Sequence, residues 1–108
     1  MDRRSGQERR GSNRYPITLD VEWESSAGRY SGTISDISLD GCFVLSSGEV
    51  EDGEVVKIFI PLADGMKVQF GGRVANHVFE IGFGCRFEQL SAGQRDLLIK
   101  LLKDRAEA

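Results

Sequence analysis

The sequence predicts an all-β domain with a terminal helix: a six- or seven-stranded antiparallel β-barrel capped by a C-terminal α-helix, with a flexible N-terminal arm in front of it. Three observations carry this expectation. Segments with an apolar residue at every second position recur between Ile17 and Phe87, which is the pattern of half-buried strands. Thirteen glycines stand against two prolines, a balance suited to tight turns and sharp sheet bends. After Leu90 the apolar spacing changes from two to that of a helix.

The elements follow in order. Residues 1–14 form the arm, and residues 15–108 the barrel with its helix at about 91–105. Ile17, Leu19, Val21 and Trp23 alternate with Thr18, Asp20, Glu22 and Glu24 in a first strand. The turn ESSAGR leads to a second, with Tyr30, Gly32 and Ile34 on one face, running to the segment DISLDG. CFVL (Cys42 to Leu45) is a third. The polar connection SSGEVEDGE precedes a fourth, VVKIFIPL, in which Pro61 must stand at a sheet edge or strand end. Val68, Phe70, Gly72 and Val74 mark a fifth. Phe79, Ile81, Phe83, Cys85 and Phe87 share one face of a sixth. Glycines 71, 72, 82 and 84 suit barrel closure or the approach of a neighbouring backbone or ligand. Ser91 with Gln94 reads as a capping box, and Leu90, Leu97, Leu98, Leu101 and Leu102 line the inner side of the helix as a lid on the barrel. Lys100, Lys103 and Arg105 favour its C-terminal dipole.

A chain of 108 residues corresponds to one domain. The start carries charge and no apolar run, and no stretch approaches the roughly 18 apolar residues of a membrane span. A cytoplasmic protein without a membrane segment is therefore expected. Cys42 and Cys85 lie in separate strands and belong to no C-x-x-C pair, so buried reduced thiols are expected and a metal site is not. One histidine, His77, and isolated thiols supply no nucleophile, base and orienter together, so an enzyme is not expected.

Charge is distributed unevenly. The net charge is -3, yet Arg3, Arg4, Arg9, Arg10 and Arg14 are half of the ten arginines, and no lysine joins them. Against Asp2 and Glu8 they give the arm a charge of +3; nine basic and fifteen acidic side chains leave the remainder at -6. Such a body repels a long polyanion. An all-arginine cluster instead offers planar forks that grip phosphate or a guanine edge in pairs.

Within ERRGSNR, Arg10 and Arg14 form R-x-x-x-R, a pair expected about once by chance in this composition. Asp36, Ser38 and Gly41 form D-x-S-x-x-G, expected about 0.1 times. In extended backbone Asp36 and Ser38 project together outward while Ile37 faces the core. Gly41 then permits a left-handed turn or a close approach of ligand to backbone. Forked cations facing a carboxylate and a hydroxyl suit a ligand with phosphates and a base such as guanine, whose O6/N7 edge takes arginine and whose N1/N2 side donates to Asp36.

ERRGSNR, then DISLDG, the strand IGFGCRF and a leucine-rich terminal helix together resemble the PilZ domain, the bacterial receptor module for cyclic di-GMP, from about Glu8 to Leu102. The resemblance implies a barrel whose N-terminal arginines wrap onto the dinucleotide. Arg10 and Arg14 would take phosphates and guanine edges, with Arg9 as a helper; Asp36 and Ser38 would contact a guanine, and Gly41 would shape the turn. The family pattern does not fix positions in the RVANHVF hairpin, where Asn76 or His77 would be the next candidates to flank the ligand. It implies no cofactor beyond the ligand, a downstream protein partner, and a monomer or a ligand-linked dimer in second-messenger signalling. The alternatives are a PilZ-type scaffold that binds another protein without ligand, and a barrel binding nucleic acid non-specifically, which would need exposed stacking aromatics.

Overall fold

The computed structural model describes residues 14–62 and 64–106, with side chains to residue 104. Six strands close into one antiparallel barrel: β1 (Tyr15–Ser25), β2 (Gly28–Ile37), β3 (Gly41–Leu45), β4 (Val55–Pro61), β5 (Lys67–Val78) and β6 (Gly82–Phe87). A helix, α1 (Ala92–Ala106), follows. Around the barrel the order is β1-β2-β3-β6-β5-β4, with β4 paired back onto β1. Closure leaves no sheet edge, and Pro61 stands at the last position of β4, where its missing N–H does least harm.

The alternating residues build the core as expected. Val21, Trp23, Ile34, Val44, Val56, Ile58, Phe70, Val74, Phe83 and Cys85 point inward and are buried in one cluster. Trp23 is its hub: the indole stacks on Tyr30 at 4.7 Å and meets Phe83 edge-on at 4.7 Å. Its Nε1 donates to Ser46 Oγ at 3.1 Å, and that hydroxyl donates to Ser31 O at 2.9 Å. The buried indole N–H is thus satisfied, as such a group must be.

The capping box forms. Gln94 N donates to Ser91 Oγ at 3.1 Å, and Ser91 N donates to Gln94 Oε1 at 2.8 Å. Leu98 and Leu102 enter the barrel core, with Leu90 and Leu101 packed against it. Gln94 Nε2 also donates to Gln69 O at 2.7 Å, pinning the start of the helix to β5.

One element differs from expectation. The sixth strand begins at Gly82, not Phe79, because β5 continues to Val78 and the chain reverses through residues 79–81. Phe79 and Ile81 consequently lie in a turn, exposed to solvent, and only Phe83, Cys85 and Phe87 face the core. Among the described residues, no helix is long and apolar enough to cross a membrane, and no group of three or more His, Cys, Asp and Glu side chains could hold a metal ion.

Candidate functional site

Two irregularities in the sheet decide which side chains reach its outer surface between β2 and β5. The β2–β3 register shifts between Ile34 and Asp36, and the β5–β6 register shifts between Val74 and Asn76. Ile34 and Val74 face the core, so strict alternation would turn Asp36 and Asn76 inward as well. An extra residue at each place re-aims them outward, a frequent use of bulges. Ile37 then returns to the core, fully buried. Asp36 pairs with Phe43, Phe43 with Gly84 and Gly84 with Asn76. The four residues form one transverse row on the outside of β2, β3, β6 and β5, about 14 Å from end to end at ordinary strand spacing.

Arg14 comes to the head of this row. Tyr15 pairs with Ile37, which sets the residue before β1 beside the end of β2. Arg14 Nε lies 3.2 Å from Asp36 Oδ1, with the two side chains 51% and 34% exposed. That oxygen is shielded from solvent and has no aligned hydrogen bond among the described residues. The contact is therefore an ion pair by proximity rather than a well-directed bond, and the remaining surface of the carboxylate stays open. Arg9 and Arg10 lie outside the described residues.

Ser38 departs from the outward display that i, i+2 spacing predicts. It is 1% exposed, because β2 ends at Ile37 and the hydroxyl turns into the bend. Ser38 Oγ accepts from Asp40 N at 3.1 Å and from Gly41 N at 3.3 Å, while Ser38 N donates to Gly41 O at 2.8 Å. The serine closes the turn that carries the chain from Asp36 into β3. Gly41 is not in the left-handed region; its need is steric, since a Cβ would collide with the Cys85 carbonyl oxygen of β6. The backbone that approaches Gly41 closely is the protein's own.

Beneath the row lie the two thiols. Cys42 and Cys85 pair directly across β3 and β6, both buried and unlinked. The Cys42 thiol is pushed well above its ordinary range, first by its hydrogen bond with Cys85, then by burial and by the Cys85 and Asp36 charges; Arg14 pulls weakly the other way. Both the site and the thiols thus share one electrostatic neighbourhood, and the neutral thiol is the favoured form.

The row also contains Phe43, which strand patterning did not single out, and Asn76, one of the two hairpin candidates. Phe43 is half-buried on the outer face, and its ring borders the space above Gly84. Asn76 places its side-chain oxygen over the same glycine, so any side chain at 84 would displace it. Of the two hairpin candidates, Asn76 therefore joins the row, whereas His77 turns to Asp52, Nδ1 to Oδ1 at 3.1 Å. The arrangement offers a carboxylate acceptor, a guanidinium fork, an aromatic surface and an amide over a glycine floor, the makings of a site for a flat, hydrogen-bonding ring with attached anions.

A family model described as PilZ domain matches residues 8–104. The chain belongs to the PilZ domain family. The PilZ domain of CeSA from a cellulose-synthesizing bacterium is similar in structure, with a TM-score of 0.67 and 24% identity over 82% of this chain and 93% of that one. The PilZ domain of YcgR from Escherichia coli, solved with c-di-GMP, gives a TM-score of 0.78 at 14% identity, covering 93% of both chains. The Bacillus subtilis inhibitor of motility MotI/DgrA gives 0.75 at 19% identity over 93% of this PilZ chain, which spans 52% of that protein. No curated protein sequence matches the chain.

Proposed function

We propose that this PilZ domain is a receptor for cyclic di-GMP, built to bind rather than to catalyse. The observation that carries the reading is the 3.2 Å approach of Arg14 to Asp36, which joins the arginine motif to the D-x-S-x-x-G turn at one place. Family membership and the ligand in the YcgR structure support it.

Without ligand, Arg14 and Asp36 neutralise each other through a half-exposed pair worth about 0–1 kcal/mol. Such a pair is easily exchanged. A guanine presents N1 and N2 donors to the open surface of Asp36, and the released Arg14 fork turns to a phosphate or to the O6/N7 edge. Phe43 supplies a face beside the base, and Asn76 can donate or accept at the far end of the row. Ser38 and Gly41 act from beneath, one closing the turn and the other letting β6 approach. Arg10 and Arg9 add further phosphate contacts from the arm. Pinning the arm over the row changes the charge and shape of that face, and a separate protein reads the change as signal.

Titration calorimetry with cyclic di-GMP, and GTP as control, tests this. Wild type should bind the dinucleotide and discriminate against GTP. Arg14→Ala and Asp36→Ala should each weaken binding at least about tenfold, the worth of one charge-assisted hydrogen bond. No heat with wild type, or equal affinities for wild type and Arg14→Ala, would overturn the reading.

A further inference from the structure

We infer that the tip of the β5–β6 hairpin is a docking surface for a basic, amphipathic segment of another protein. This inference stands on observations separate from the ligand site. The Asp36–Phe43–Gly84–Asn76 row crosses β3 at Phe43, and the hairpin tip lies two residues further along, at Leu45.

Val78, Phe79 and Ile81 are exposed at the tip, Phe79 at 72% and Ile81 at 54%, with exposed Leu45 beside them. They are contiguous, since Val78 and Leu45 both pair with Gly82 and Ser46 N donates to Ile81 O at 3.0 Å. None of the four belongs to the core or packs against it. The reversal itself does not require them. Ile81 N donates to Val78 O at 2.9 Å, closing a turn whose Glu80 sits at φ 63. A turn serving only to reverse the chain takes Gly or Asn in that region. This one instead keeps a glutamate in an unfavourable backbone region and presents two large apolar side chains to water, a combination found where a surface has work beyond folding.

A recess of about 320 Å³ opens between the tip and the Ser46–Val50 loop. Glu49 and Glu80 line it, and its one basic-capable side chain, His77, is held by Asp52. An apolar tip beside two exposed carboxylates, Glu49 and Glu80, that have no partner among the described residues complements a segment with leucine or isoleucine on one face and lysine or arginine at its flanks. A second copy of this chain would bring the same acids to the contact, and an anionic bilayer would be repelled. The chain's own residues 1–13 are basic but contain one apolar side chain, Met1.

The test uses the full chain and a synthetic 18-residue amphipathic helix of leucine and lysine, with a leucine and glutamate helix as its charge-reversed control. The lysine peptide should bind and shift amide resonances of Leu45, Gly48 to Val50 and Val78 to Gly82, and the glutamate peptide should not bind. Phe79→Ser and Ile81→Ser should each weaken binding about tenfold, as loss of an apolar anchor does. Glu80→Gly, which relieves the backbone while removing a charge, should weaken it severalfold with no loss of thermal stability, so a folding defect cannot imitate the result. Three outcomes would overturn the inference: shifts on another acidic face that survive Phe79→Ser; self-association in sedimentation velocity that Phe79→Ser abolishes; or Phe79-dependent binding to vesicles of phosphatidylglycerol in place of the peptide.

Discussion

Arg14 and Asp36 meet from the two free ends of the β1–β2 hairpin, Nε to Oδ1 at 3.2 Å, with half of the arginine side chain in water. The contact is suited to exchange rather than to holding the fold. Arg14→Ala should therefore change unfolding free energy by no more than about 1 kcal/mol, while cyclic di-GMP affinity falls. Urea unfolding beside calorimetric titration separates the two; a large stability loss would make Arg14 a structural residue.

Ser38→Ala should do the opposite. It strips the acceptor from the Asp40 and Gly41 amides within a buried turn. Leaving such donors unsatisfied costs about 1–3 kcal/mol, and the midpoint of urea unfolding should drop accordingly. Ligand affinity should fall only as far as the displaced turn moves Asp36.

Gly41→Ala should be poorly tolerated although alanine is small. The new Cβ meets a backbone carbonyl of β6 that cannot rotate away, so β3 and β6 must separate, at a cost of about 1–3 kcal/mol. Gly71→Ala is the control: open space surrounds that position, and the melting temperature should barely change.

The thiols predict a pH dependence. Folding raises the Cys42 pKa, so above the ordinary thiol range, about 8.5, the unfolded state holds fewer protons than the folded one and stability falls as pH rises. One such group contributes a slope of up to about 1.4 kcal/mol per pH unit. Its stabilising contribution is complete below that range. Unfolding curves between pH 7 and 10 should show the slope in wild type and lose it in Cys42→Ala. The native thiols should also resist alkylation at pH 8 and react once guanidinium unfolds the chain.

Much of this barrel can be read from alternation alone, because one buried face imposes a period of two on every strand. The same property hid the β5–β6 reversal. Phe79 and Ile81 continue the alternation of Phe83, Cys85 and Phe87 through a turn with no glycine, proline or asparagine, so nothing local separates turn from strand. Asp36 and Arg14 were legible as motif residues, and their meeting follows from the hairpin between them. The inward rotation of Ser38 was not legible, since i, i+2 spacing holds only while the strand continues and β2 stops at Ile37. Phe43 could have been suspected, standing outward between inward Cys42 and Val44. Its alignment with Asn76 depends on two bulges and a cross-strand register that no single segment encodes.

Trp23, the only tryptophan, gives the molecule an internal optical gauge. Sealed in the core against Tyr30 and Phe83 with its N–H tied to Ser46, it will emit as a buried indole while the barrel is intact and shift to the red when the barrel opens. Events on the outer row leave that environment alone. A single spectrum can therefore certify that a variant with altered ligand or peptide affinity is still folded, with no label added to the chain.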